Sequence, residues 1–241
     1  HWRIDVFNSH GKIYEASASM MFSVPIEQCQ KGQPGDLRSK GKVAELALGY
    51  QGSVGAMVNM GGDKMGLSEP EMKSIVKKWR AASPNIANLW RTLESCAKKA
   101  VKRRTRVIHP LKRLIFDGRD PKYLTVQLPS GRKLYYREPH MGINRFDQPS
   151  LRYWGLDQVK KKWTIIETYG GKLAENIVQA IARDLLMFSM HNLDKDGYDI
   201  VMHVHDESVA EVPVGEGNGA LERMCTIMAK HTDWADGLTL N

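Results

Sequence analysis

The hydrophobic period changes in the last third of the chain, and that change fixes the fold class. From Lys172 to Met190, apolar residues recur at Leu173, Ile177, Ile181, Leu185 and Phe188, one stripe of a long helix. Asn176, Gln179 and Arg183 share another face of it. After the Asp194-Lys-Asp-Gly turn the period drops to two: Asp199 to His205 alternates as a strand, and Ser208 to Val212 resumes it beyond Asp206-Glu207. A final helix follows, from Gly217 to about His231. The expectation is an α+β fold in which an antiparallel sheet is backed by helices.

The earlier residues are mainly helical. Helices are expected over Gly11–Phe22, briefly after Pro25, from an Asp36 cap to about Gly49, from Ser68-Glu-Pro-Glu71 to Ala82, and from Pro84 to Arg103. Six glycines between Gly49 and Gly66 imply tight turns. Tyr123–Leu128 and Lys133–Tyr136, flanking a Pro-Ser-Gly-Arg turn, read as a small β-hairpin inserted in this helical part. A loop then spans 138–150. The chain accordingly divides into 1–150, helical with one small hairpin, and 151–241, which holds the long helix and the acidic hairpin.

With 42% hydrophobic residues the 241-residue chain can bury a sizeable core, while 26% charged residues and no apolar run near 18 exclude a membrane span. Nothing before Val24 reads as a signal peptide, and a cytoplasmic setting is expected. Cys29, Cys96 and Cys225 are too scattered for a disulfide framework or a cysteine zinc site. The net charge of +8 favours a polyanionic partner. It is locally concentrated: Lys98 to Arg113 holds eight Lys or Arg and no acid. Lys77-Lys-Trp79-Arg80 and Lys160-Lys-Lys-Trp163 set cations beside aromatics, suited to phosphate contacts with base stacking or, alternatively, to solvated faces over buried tryptophans.

Two constellations carry chemistry. Val204-His-Asp-Glu-Ser208 places two carboxylates at a strand turn; because Ile200, Val201, Met202 and Val204 are apolar enough for a core, paired acids at their junction call for a divalent cation. An ordinary Asp-rich turn is the competing reading. Arg38, Lys42, Leu46 and Tyr50 recur every four residues, a stripe about 18 Å long that suits a nucleoside triphosphate, with phosphates at the Arg/Lys end and sugar and base near Leu46 and Tyr50. An amphipathic surface helix gives the same spacing. His203-Val-His205-Asp also offers two histidines on one strand face, the germ of a metallohydrolase site.

In this order the lysine-bearing stripe, the Gln179 helix and the His205-Asp206-Glu207 tip resemble family A, bacterial polymerase I-like DNA polymerases, especially phage-encoded ones. Lys12-Ile-Tyr-Glu-Ala-Ser-Ala-Ser-Met-Met-Phe22 is similar to the segment entering the fingers, Tyr169 to Asp184 to the palm helix, and Trp234-Ala-Asp-Gly-Leu to the approach to the C-terminus. The resemblance implies fingers within 1–150 and part of the palm within 151–241. It implies Arg38 and Lys42 on the dNTP phosphates with Lys42 a catalytic cation, Leu46 and Tyr50 by sugar and base, and Asn176, Gln179 and His205 on DNA. Asp206 and Glu207 become catalytic acids and metal ligands. Two Mg2+ ions, primer-template DNA and dNTPs are the expected cofactors and partners, with no membrane. Leu46 stands where the family has Phe or Tyr, Tyr14 where it has His, and Gln51 where Gly follows the fingers Tyr. The family's other metal-binding Asp, in Asp-x-x-x-x-Glu, is expected before His1. A fragment or split enzyme, inactive without that segment, is therefore the expectation. The alternatives are a catalytically silent DNA-binding fragment and the His-x-His hydrolase.

Overall fold

Helices occupy the first hundred residues because their apolar positions recur at helical spacing between capping residues and turn clusters. The structure is a computed structural model that describes residues 2–240. Six helices come first: α1 (Trp2–Ser9), α2 (Ile13–Phe22), α3 (Leu37–Leu48), α4 (Val54–Asn59), α5 (Glu69–Ala82) and α6 (Pro84–Arg103). The short α1 and α4 are not signalled by the sequence. At α5 the expected start is a capping box in which the Glu71 carboxylate accepts both the Ser68 amide (2.8 Å) and its hydroxyl (2.6 Å). Asp36 occupies the cap position of α3 differently. Its φ is +45°, and its carboxylate takes the Ser39 hydroxyl rather than a backbone amide.

Two compact units make up the chain, one of residues 1–126 and 135–175, the other of 127–134 and 176–241. Sequence reading sets its main boundary at residue 150; here 151–175 group with the first unit. Within that unit Trp79 and Trp90 stack with centroids 6.0 Å apart, among the buried Met21, Leu48, Met57 and Leu93. Gly41 lets α3 lie directly on α2, since a Cβ there would sit 2.2 Å from the Tyr14 carbonyl oxygen.

The expected small hairpin forms, as the middle pair of a six-stranded sheet in sequence order: β1 (Arg106–Ile108), β2 (Ile115–Asp117), β3 (Tyr123–Gln127), β4 (Lys133–Ile143), β5 (Pro149–Asp157) and β6 (Lys162–Thr168). The loop expected at 138–150 shrinks to a turn between β4 and β5, which pair antiparallel, as do β5 and β6. Apolar residues on both faces of β5 and β6 erase the alternation that would have announced them.

Helix α7 (Gly170–Lys195) is longer than the 172–190 expected, and its buried side runs through Leu173, Ile177, Leu186 and Leu193. In the second unit the tip of the β3–β4 hairpin is fastened to α7: Asp184 accepts from Ser130 Oγ (2.5 Å) and Arg132 Nε (2.5 Å). The acidic hairpin forms as expected from β7 (Asp199–Val204) and β8 (Glu207–Glu211), followed by α8 (Gly217–Met228). Its setting does not. Val201, Met202 and Val204 are exposed rather than core, because the ribbon has two strands and no third pairs with it among the described residues. The class is α+β, with the larger sheet lying where the sequence suggested only an excursion.

Candidate functional site

The four-residue stripe begins on α3, whose underside of Gly41, Val43, Ala44, Ala47 and Leu48 is buried. Arg38, Lys42 and Leu46 therefore lie away from the core: Arg38 half-buried, Lys42 and Leu46 exposed. Tyr50 does not continue the stripe, because α3 ends at Leu48 and Tyr50 stands in the following turn. The phenol is half-buried, and desolvation together with the Glu175 carboxylate pushes its pKa up, keeping it a neutral donor. Arg38 is already engaged, its Nε 2.7 Å from Glu15 and its guanidinium 5.5 Å over the Tyr14 ring. Lys42 has no ion-pair partner within 4 Å among the described residues, so its ammonium is open to an anion.

Glu45, which no sequence motif singles out, holds α3 in place. Its Oε1 accepts from Arg3 Nη2 (2.7 Å), Ser17 Oγ (2.6 Å) and Trp79 Nε1 (2.8 Å), tying α3 to α1, α2 and α5. Trp79 is thus a core residue, and the Lys77–Arg80 run is a solvated face over a buried tryptophan rather than a stacking site. A carboxylate flanked by Val43, Ala44, Ala47 and Leu48 in a helical pattern was the available signal.

The turn after α3 is the other unexpected element. Gln51 has φ +68°, the left-handed conformation in which glycine is at home, and its Oε1 accepts the Gly171 amide at 2.8 Å. Glu94 takes the Gly170 amide at 3.0 Å, so both first amides of α7 have partners. Gly170 and Gly171 permit the approach, since Cβ atoms there would lie 2.1 and 2.2 Å from the Trp90 and Tyr50 carbonyl oxygens.

In the second unit, Asn176, Gln179 and Arg183 follow at spacings of three and four along α7; Gln179 and Arg183 are exposed and Asn176 is half-buried. The guanidinium of Arg183 lies alongside the His203 imidazole, with nitrogens 3.2 and 3.3 Å apart in two pairs. A cation pressed to that ring disfavours metal binding at His203, and neither there nor at the acidic tip do three or more His, Cys, Asp or Glu converge among the described residues. The His203/His205 zinc reading is thereby set aside. His205 and Asp206 form the two-residue turn of the acidic hairpin, with Val204 opposite Glu207. His205 has φ +53°, a strained value for a histidine at an exposed tip. Asp206 and Glu207 are exposed, and neither has a Lys or Arg within 4 Å among the described residues.

Two adjacent, unneutralised carboxylates fit a hard oxygen-seeking cation in kind. Mg2+ in particular is commonly held by one or two carboxylates together with waters and substrate phosphates rather than by an all-protein cage. The basic run expected at 98–113 divides between the end of α6 and the start of the sheet: Lys102, Arg103, Arg104 and Arg106 are exposed, whereas Lys98 pairs with Glu94. Cations at the C-terminal end of α6 also complement its dipole.

Helical layers around a lysine-bearing α3, followed by a long helix and an acidic hairpin, make up a polymerase-type fold: over 94% of this chain it is similar, with TM-score 0.56 and 19% identity, to the polymerase domain of Pol1 from M. smegmatis, a structure with DNA primer-template and dNTP, of which it covers 32%. No family model matches the chain. Its sequence is 50% identical, over 99% of its length, to the DNA polymerase of Bacillus phage SP02, and it spans 36% of that relative. The chain is homologous to the phage DNA polymerase along a segment about a third of that protein's length. Among the described residues no helix is long and apolar enough to cross a membrane.

Proposed function

We propose that this chain supplies the fingers (within 1–150) and part of the palm (within 151–241) of a family A DNA polymerase, acting in the cytoplasm of a phage-infected bacterium. Its work would be the template-directed addition of dNTPs to a primer 3′-hydroxyl. The observation that carries this reading is the 50% identity to a phage DNA polymerase over 99% of the chain. The exposure of Lys42, Asp206 and Glu207, each without a neutralising partner among the described residues, agrees with it.

In this reading the Lys42 ammonium meets the triphosphate oxygens in a charge-assisted contact. Arg38 joins it by exchanging Glu15 for phosphate. Leu46 and Tyr50 lie by the sugar and base, the Tyr50 phenol neutral. Asn176, Gln179 and His205 contact primer-template DNA. Asp206 and Glu207 would hold Mg2+ ions, which when bound supply acidification of the primer hydroxyl and stabilisation of the leaving pyrophosphate. One adjacent pair of acids is only one arm of a two-ion site, so a further carboxylate-bearing segment, in cis or as a separate chain, completes it.

Primer extension tests this. Residues 1–241 alone are expected to give negligible extension, restored when the complementary polymerase segment is supplied. In that assembly Asp206→Asn should abolish extension with primer-template affinity nearly unchanged, and Lys42→Ala should raise KM for dNTP and lower turnover roughly a hundredfold. Parent-like dNTP kinetics in Lys42→Ala would reduce α3 to a surface helix and overturn the assignment.

A further inference from the structure

The six-stranded sheet has an inward face and an outward face, and the outward one is not what solvent calls for. On β5 and β6, Leu156 stands opposite Trp163, Trp154 opposite Ile165, and Arg152 opposite Glu167; Arg137 of β4 stands opposite Trp154. Directly opposed residues share a face, so these side chains form one surface. Tyr135, two residues before Arg137, joins them. The intervening residues point inward: Leu151 and Thr168 are buried, and Tyr153 meets the buried Tyr136 edge-on at 5.0 Å. The outward face of an antiparallel sheet is ordinarily polar. Here Tyr135 is 63% exposed, Trp163 58%, Leu156 46% and Ile165 43%.

Cations surround these rings. The β5–β6 turn is set by the Asp157 carboxylate, which accepts the Val159 and Lys160 amides at 2.9 Å each, and by Lys161 at φ +52°. That turn presents Lys160, Lys161 and Lys162 in succession, all exposed, next to Trp163. Arg137 and Arg152 are partly offset by Glu138 (3.1 Å) and Glu167 (3.5 Å). Over residues 133–168, seven Lys and Arg stand against four Asp and Glu. The other basic-aromatic run, at Lys77–Arg80, hides its tryptophan in the core, whereas this one displays it.

We infer that the outward face of β4–β6 is a stacking platform for single-stranded DNA, with Trp163 and Tyr135 as base-stacking rings and the Lys160–Lys162 turn as the phosphate contact. Sheets that bind single strands use this combination: exposed rings stack on bases of any identity, and neighbouring cations follow the backbone. A protein partner would also accept the apolar surface. The three successive lysines and the positive balance favour a polyanion. This surface involves neither the acidic hairpin nor α3, and it stands whether or not the polymerase reading does.

The test is equilibrium binding of a dye-labelled oligothymidylate of about 12 nucleotides, followed by anisotropy without dNTP or divalent metal, so that failure of the polymerase reading cannot affect it. The parent chain should bind, more weakly as salt rises. Trp163→Ala should weaken binding roughly tenfold and Trp163→Phe should restore most of it, since stacking needs a ring. Replacing Lys160, Lys161 and Lys162 together by Gln should lower the log–log salt slope by about 2. Thermal melting near that of the parent would show each variant folded; the lysine variant, altered only in an exposed turn, carries the test if Trp163→Ala does not fold. No binding by the parent, or affinity and salt slope unchanged in both the Trp163→Ala and lysine variants, overturns the inference. So does Trp163→Ala binding DNA like the parent while losing self-association or a protein contact, which would make the face a protein interface.

Discussion

Lys42 and Asp206 are both exposed, yet what lies beneath them differs. Lys42 rides on α3, whose underside is buried and whose Glu45 is bonded to three other helices. Asp206 rides on a two-stranded ribbon with Val201, Met202, Val204 and Val209 facing solvent and a left-handed histidine at its tip. A two-stranded ribbon is marginal by itself. The lesson concerns preorganisation: the helix presents its cation from a packed support, whereas the acids need additional packing before their positions are fixed to the fraction of an ångström that chemistry requires.

Removing the support of α3 should have the largest effect. Glu45→Ala leaves Arg3, a residue only 9% exposed, without its carboxylate, and is expected to destabilise the first unit by about 3–5 kcal/mol in urea unfolding. Glu45→Gln, which keeps an acceptor, should lose less. A loss below about 1 kcal/mol for the alanine variant would erase the contrast between the two regions.

The ribbon should respond in the opposite sense. His205→Gly relieves a positive φ and is expected to raise local stability by up to about 1 kcal/mol, read as slower hydrogen exchange of the β7 and β8 amides. Faster exchange would mean that the histidine side chain contributes more than its backbone costs.

Acid should separate the units least. Asp117 falls from 3.8 to about 2, chiefly through the Arg119 hydrogen bond. In the second unit the Asp196 carboxyl is also lowered, first by its hydrogen bond to Arg223. A depressed carboxylate stabilises the fold above its ordinary pKa and loses that contribution as pH falls through the folded value. Each pair is exposed at the arginine, so the Asp117 term is well below 1 kcal/mol. Asp117→Asn should flatten only the part of the acid-unfolding curve between about pH 4 and 2, and Asp196→Asn should reduce acid sensitivity only in probes of the second unit.

What could be read in the sequence follows from where single-chain patterns are clean. The stripe of α3, the capping box of α5, and the long α7 with its following hairpin were legible, because one face was apolar or one turn had distinctive residues. Of the sheet from Arg106 to Thr168 only the hairpin around residues 123–136 was legible; β5 and β6 were not, because Trp163 and Ile165 face solvent while Ile166 faces inward, and no period survives such mixing. The role of Glu45 was hidden for another reason. Its partners Arg3, Ser17 and Trp79 lie 42, 28 and 34 positions away, and a lone acid on a helix announces none of them. Likewise Gln51 could be seen to replace a glycine, but not to reach Gly171.

That last contact joins the turn after α3 to the first turn of α7 through one side chain. Gln51 tolerates an unfavourable backbone angle while its side chain closes the start of α7, so a glycine at 51 would relax the turn and lose the closure in one step. Gln51→Asn, whose side chain is one methylene shorter, would keep the turn's left-handed backbone and withdraw the acceptor from the Gly171 amide, separating the two effects.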